Sequence, residues 1–124
     1  MASQTPEVLH TQFVATFNAG NLDAVMALYE ETAVLVPQPG LITTGRQANR
    51  QALLQFLALK GTMQIRTTFA IKSGDVALLR GEWTLNGTGP DGAAIEMNGK
   101  NVEVARRQSD GTWLFAIDHP FGAS

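Results

Sequence analysis

Apolar positions recur at helical spacing early in the chain and at alternating spacing later on. Leu9, Phe13 and Phe17, with Val14 beside them, mark one face of a first helix. Thr5-Pro6-Glu7 reads as its start: a hydroxyl cap, a proline at the first helical position, then an acid at the positive end of the dipole. Asn18-Ala19-Gly20 stops it, and Asn21 caps a second helix with Leu22, Val25, Met26 and Tyr29 inward. Tyr29-Glu30-Glu31 reads as that helix's end, its acids in solvent. Ala33-Val34-Leu35-Val36 is short and β-branched, so it reads as a strand running into the loop Pro37-Gln38-Pro39-Gly40. Arg46 to Leu59 is rich in helix formers, with Leu53, Phe56 and Leu57 as the buried face of a third helix.

From Met63 the period becomes strand-like. Strands are predicted over Gln64–Lys72, Val76–Asn86, Ala94–Gln108 and Thr112–Asp118, separated by Ser73-Gly74-Asp75, the Gly87–Gly92 loop and Ser109-Asp110-Gly111. Helices first and a strand meander afterwards imply an α+β fold, α-α-β-α-β-β-β-β, with the helices on one face of an antiparallel sheet. The 124 residues suit one domain spanning 1–124. The late strands carry apolar residues on both faces: Val102, Val104, Leu114 and Ala116 against Trp113, Phe115 and Ile117. So large an apolar surface predicts a two-fold homodimer through the sheet.

Composition narrows the function classes. Hydrophobic residues at 44% and charged residues at 16% exclude intrinsic disorder. A net charge of −2 with scattered basic residues argues against a nucleic-acid partner. Without cysteine there is no disulfide framework, thiol nucleophile or thiolate metal site. No apolar run reaches the roughly 18 residues needed to span a membrane, and Met1–Glu7 has neither the basic nor the apolar region of a leader. The expectation is a cytoplasmic protein with no membrane partner. Two histidines without metal-ligand spacing imply no metal. Gly87–Gly92 joins two strands and is read as a hairpin loop, not a phosphate cradle, so no cofactor is expected.

Several strings resemble the NTF2-like superfamily: Asn18-Ala19-Gly20-Asn21-Leu22-Asp23, Leu28–Val34, Thr44-Gly45-Arg46, Glu103–Gln108, Asp110–Trp113 and Ile117–Gly122. The likeness covers nearly the whole chain and is nearest to the SnoaL-like and DUF4440 branch, with the ketosteroid-isomerase-like fold. It implies a cone in which a curved sheet wraps the first helix around a mostly apolar pocket, and a homodimer. The ketosteroid isomerases of this superfamily use a carboxylate base, a tyrosine and a protonated acid. Here the base position falls at Pro37 and the tyrosine position on Phe13, neither of which can serve, while Glu103 keeps an acid at the third. Steroid isomerisation by that mechanism is therefore not expected.

Glu103, Asp118 and His119 are the candidate acid–base residues. Glu103 is either a cavity acid or the partner of Arg106, Arg107 or Arg80 in an ion pair. Asp118 and His119 end the last strand on opposite faces. The resemblance favours Asp118 beside Glu103, whereas pairing across a three-residue loop sets Glu103 opposite Ile117 and puts His119 on Glu103's face unless a bulge reverses the parity. Asp118 as a loop-fixing residue and His119 as a side chain held before a turn proline are the alternatives. Phe13, Phe17, Phe56, Trp83 and Asn101 are the candidate pocket residues, Asn101 orienting a substrate carbonyl; core packing is the alternative for the aromatics. Pro37–Gly40 is expected at the pocket rim, and His10 at the surface or in the core. The ligand class is a small organic molecule. An isomerase, cyclase or dehydratase working by proton transfer without a cofactor, and a non-catalytic binding or dimerisation module, both fit the sequence.

Overall fold

The structure is a computed structural model that describes residues 5–124; Met1–Gln4, part of the segment read for a leader, lies outside the described residues. Three helices, α1 (Val8–Asn18), α2 (Leu22–Met26) and α3 (Arg46–Leu57), accompany six strands. The strands are β1 (Tyr29–Gln38), β2 (Leu41–Thr44), β3 (Thr62–Ser73), β4 (Val76–Thr88), β5 (Ala94–Arg107) and β6 (Trp113–His119), in one curved sheet of order β2-β1-β6-β5-β4-β3. No described helix is long and apolar enough to cross a membrane.

The predicted caps are only partly realised. Asn21 accepts from the Ala24 amide at 3.1 Å, as its side chain suits it to do. Thr5 does not cap through its hydroxyl; α1 is entered through tight backbone turns from the Thr5, Pro6 and Glu7 carbonyls. Two further expectations are corrected. The segment after Pro39-Gly40 is a strand, because Gly40 takes φ 87° and closes a tight turn that pairs Gln38 with Leu41. Tyr29 opens β1 instead of ending α2, since it registers opposite Phe115 on β6.

The sheet is not wholly antiparallel: β1 runs parallel to β6, and the other four pairings are antiparallel. The chain leaves β1 for β2 and α3 and traverses β3, β4 and β5 before β6 arrives beside β1. Such a long connection permits a parallel neighbour where a hairpin cannot. β4 and β5 pair without interruption from Val76/Arg106 to Thr88/Ala94.

The inner face of the sheet, with Leu79, Trp83, Leu85, Ala105 and Phe115, meets Leu9, Phe13, Phe17 and Leu53 from the helices in one buried cluster. Asn18 clamps the end of α1 to β3, donating to the Met63 carbonyl at 3.0 Å and accepting from its amide at 2.7 Å. The start of α3 is fixed by buried Asn49. Its amide donates to the Ala33 carbonyl at 2.8 Å, and its oxygen accepts from the Thr43 hydroxyl at 2.7 Å.

Asn49→Ala removes both contacts and leaves buried polar groups without full partners. We expect a loss of about 1–3 kcal/mol, read as a lower urea midpoint; an unchanged midpoint would show that the clamp is dispensable.

Candidate active site

The inner face of β5 carries Asn101, Glu103 and Ala105 in alternation, all buried among apolar neighbours. Glu103 sits in an apolar cavity at 4% exposure, so its carboxylate must find its partners locally. It finds two. His10 Nε2 lies 2.5 Å from Oε1, and the Asn101 amide nitrogen donates to Oε2 at 2.7 Å. None of the arginine partners considered from sequence pairs with Glu103: Arg106 is engaged with Glu30 and Arg107 with Asp75, and the Arg80 Nε is buried without a partner.

His10 projects from α1 three residues before Phe13 and seven before Phe17, on the stripe that faces the sheet. Its Nδ1 lies 2.7 Å from the hydroxyl of Thr67 on β3. A hydroxyl can donate to that nitrogen or accept from it by rotating, so the contact serves either charge state of the ring. Thr67 is exposed and thereby links the buried imidazole to solvent.

Asp118 pairs directly with Glu103 across β5 and β6. The hairpin starts in the expected register, Arg107 opposite Trp113 and Ala105 opposite Phe115, and then shifts so that Val104 faces Ile117. The extra residue, Ala116, is a bulge that reverses the parity. It turns Asp118 into the cavity and His119 out of it. Tyr29 on β1 donates to Asp118 Oδ2 at 2.5 Å.

Two buried carboxyls side by side cannot both ionise cheaply. Burial first, and then the charge of Glu103, push the Asp118 carboxyl up to about 8; a hydrogen bond shared with Glu103 acts in the same direction, and the Tyr29 hydroxyl opposes it. Burial and the neighbouring carboxyl therefore favour the protonated form of Asp118 at neutral pH. The Tyr29 phenol is itself raised well above its usual value, by burial and then by the Asp118 charge.

The cavity above these groups is about 50 Å³ and is walled by Phe13, Phe17, Leu53, Phe56, Trp83 and Phe115. One polar atom in it is unsatisfied: the Asn101 Oδ1 is buried and has no partner. Trp83 is held by donating to the Pro120 carbonyl at 2.7 Å. Of the residues singled out from sequence, Glu103, Asp118, Phe13, Phe17, Phe56, Trp83 and Asn101 converge here. His119 does not line the cavity; it is partly buried and accepts from the Phe121 amide at 3.3 Å. His10, Tyr29 and Thr67 were missed. His10 had a signal, its spacing from Phe13 and Phe17, whereas Tyr29 and Thr67 enter through register alone. Among the described residues no cluster of three His, Asp or Glu side chains could hold a metal ion.

A model of the SnoaL-like domain matches residues 10–116, and the chain belongs to that family, within the NTF2-like superfamily. No curated protein matches it. A ketosteroid isomerase-like protein from Erwinia carotovora atroseptica superposes with a TM-score of 0.81 at 19% identity, covering 91% of this chain and 89% of that one. A candidate dehydratase of the NTF2-like family from Streptomyces avermitilis gives 0.75 at 19% identity, over 94% of each chain. A candidate calcium/calmodulin-dependent protein kinase II association domain from Xanthomonas campestris gives 0.79 at 22%, over 95% and 86%. At these identities the likeness establishes the fold alone.

The raised Asp118 carboxyl carries a sign for stability. The folded chain keeps that proton up to about pH 8, whereas the unfolded chain releases it near 3.9. Between these values the folded state binds more protons, so stability falls as pH rises and this contribution is gone above the folded value. Asp118→Asn keeps an acceptor for Tyr29 and a donor toward Glu103 but cannot ionise. Urea midpoints at pH 5, 7 and 8.5 should decline in the parent chain and decline much less in the variant.

Proposed function

We propose that the chain is a small-molecule-binding SnoaL-like domain whose inner cavity performs proton transfer without a cofactor. The observation that carries this reading is the pairing of Asp118 with Glu103 inside an apolar cavity, where burial and the neighbouring carboxyl hold the Asp118 value up at about 8. A general acid is most effective when its pKa lies near the working pH, and about 8 meets that condition. In the reaction Asp118 gives its proton to a carbonyl or hydroxyl oxygen of the substrate. Glu103 takes a proton from the neighbouring carbon, so an enol forms or a hydroxyl leaves as water. His10 offsets the charge that develops, and the Thr67 hydroxyl exchanges protons between the ring and solvent. Glu103, Asp118 and His10 are the groups assigned to the chemistry. Phe13, Phe17, Phe56 and Trp83 form the apolar wall, and Asn101 orients the polar end. His119 has no part in it.

The test is deuterium exchange at the α-carbon of small uncharged hydroxyketones in D₂O, followed by NMR. The parent chain should exceed buffer, and Asp118→Asn should lose about 100-fold or more of that rate. The rate should fall as pH rises through about 8. Tyr29→Phe removes the hydrogen bond that lowers the Asp118 value, so its alkaline limb should move to higher pH. Exchange no faster than buffer across the panel would leave a binding module in place of an enzyme.

The homodimer belongs to the same reading. On the outer face, Ile71, Leu78, Val104, Ile117 and Val34 are register partners in one row across five strands. Ile71, Leu78 and Ile117 are 58%, 40% and 43% exposed, with Phe69 and Val76 on the same face. An apolar band of that extent favours a second copy of itself. Leu78→Lys combined with Ile117→Glu should give a folded monomer by light scattering at micromolar concentration, where the parent chain is dimeric. A monomeric parent chain would refute the assignment.

A further inference from the structure

The inner cavity, at about 50 Å³, is smaller than the sites that hold whole organic ligands, on the order of 300 Å³ and above. A groove of about 530 Å³ lies immediately beyond it, between the β1–β2 hairpin, α3 and the C-terminal segment. The two share Phe56, which lines both. Each wall element continues from one to the other: Leu53 faces inward and Ala52 and Gln55 outward on α3, Leu35 inward and Pro37 outward on β1, Pro120 inward and Phe121 outward at the C-terminus. Glu103, Asn101, Gly99 and Met97 follow one another along one face of β5, and Met97 lines the groove. At about 3.4 Å per residue, Asn101 and Met97 are about 14 Å apart. Between them Pro120, Phe121 and Trp83 lie against Gly99, where any Cβ would meet Trp83 Nε1 at 2.7 Å.

Two chemical features define what would fill this space. The groove contains no ionisable side chain; its polar groups are Thr43 and the neutral amides of Gln38, Gln51 and Gln55. At the inner end, Asn101 Oδ1 is a buried acceptor without a donor, and a buried polar atom left in that state is costly. We propose that cavity and groove are two halves of one binding site for an uncharged, elongated molecule. Its hydroxyl or N–H head donates to Asn101 Oδ1, and its neutral tail passes Phe56, whose side chain rotates aside, to lie along α3 among the glutamine amides. This rests on the assignment of the inner cavity as the reacting end and adds the ligand's charge, length and head group.

The test measures binding of 1-butanol, 1-octanol, octyl methyl ether and 8-hydroxyoctanoate at pH 7 by tryptophan fluorescence, checked by calorimetry. Octanol should bind at least tenfold more tightly than butanol, which lacks the tail; than the ether, which cannot donate; and than the hydroxyacid, whose tail is charged. Two variants at exposed α3 positions locate the tail. Gln51→Trp fills the groove and should bring octanol down to the affinity of butanol without changing butanol. Gln55→Lys should raise the affinity for 8-hydroxyoctanoate tenfold or more relative to octanol. An octanol advantage that survives Gln51→Trp, a carboxylate affinity unmoved by Gln55→Lys, or no binding of any of the four at millimolar concentration would each overturn the two-part site. Failure of the acid–base reading is separate. It appears as ketone exchange indifferent to Asp118→Asn, and the alcohol series is unaffected by that outcome.

Discussion

A carboxylate on the apolar side of a sheet loses its hydration, and the penalty in a protein is several kcal/mol even after relaxation. Glu103 sets that constraint here, and much of the architecture around it answers it. β5 carries the residue that helps to compensate it: Asn101 stands two positions away on the same face and donates to Oε2. α1 supplies His10 against Oε1, and the helix is held at that depth by Asn18 gripping β3 at its other end. The aromatic stripe of α1 and the polar contact of His10 thus share one helix face and fix its rotation together.

The same charge sets the chemistry of its neighbour. Asp118 is a carboxyl with an ordinary unperturbed value, placed on the adjacent strand by a single inserted residue, Ala116. Without the bulge, Ile117 would stand opposite Glu103 and His119 opposite Asn101, and that face would hold a carboxylate and an imidazole with no second acid. With it, the anion and the dry surroundings keep a proton on Asp118 near neutrality, and Tyr29 moderates the effect from β1. Strand register, usually a matter of which side chains pack, decides here which group can give a proton.

The elements with strong periodicity were legible in the chain. α1, α3 and β3–β6 begin and end within about two residues of their predicted bounds, because apolar residues recur at each element's period and turn residues close its ends. β2 was not legible: Leu41 and Ile42 are exposed and follow Pro39-Gly40, so nothing in the local pattern separates a four-residue edge strand from a loop. Tyr29 was misplaced because it stands three residues after Met26 and continues the helical stripe, although the backbone has already turned into β1. The site divides in the same way. Glu103 and the aromatic wall could be read from alternation and resemblance. The side taken by Asp118 depended on a bulge at an alanine that has no residue signature, and His10 was overlooked as a lone polar residue on an apolar face.

The neutral groove and the buried acid make physical sense as a pair. An ionised group beside Met97, about 20 Å from Glu103 along β5, would interact with the carboxyls by about 0.8 kcal/mol at an effective dielectric of about 20. That is about half a pKa unit at Asp118. A cation there would draw Asp118 toward ionisation at neutral pH and weaken it as an acid, while an anion would hold its proton too firmly to be given up. Lining the approach with Gln38, Gln51, Gln55 and Thr43 provides hydrogen bonds with no such field. The same reasoning applies to a ligand's tail, because a charged tail would alter the acid it is meant to meet. In this way the proton held between Asp118 and Glu103 constrains not only the residues that touch it but also the charge of whatever lies along α3 outside the cavity.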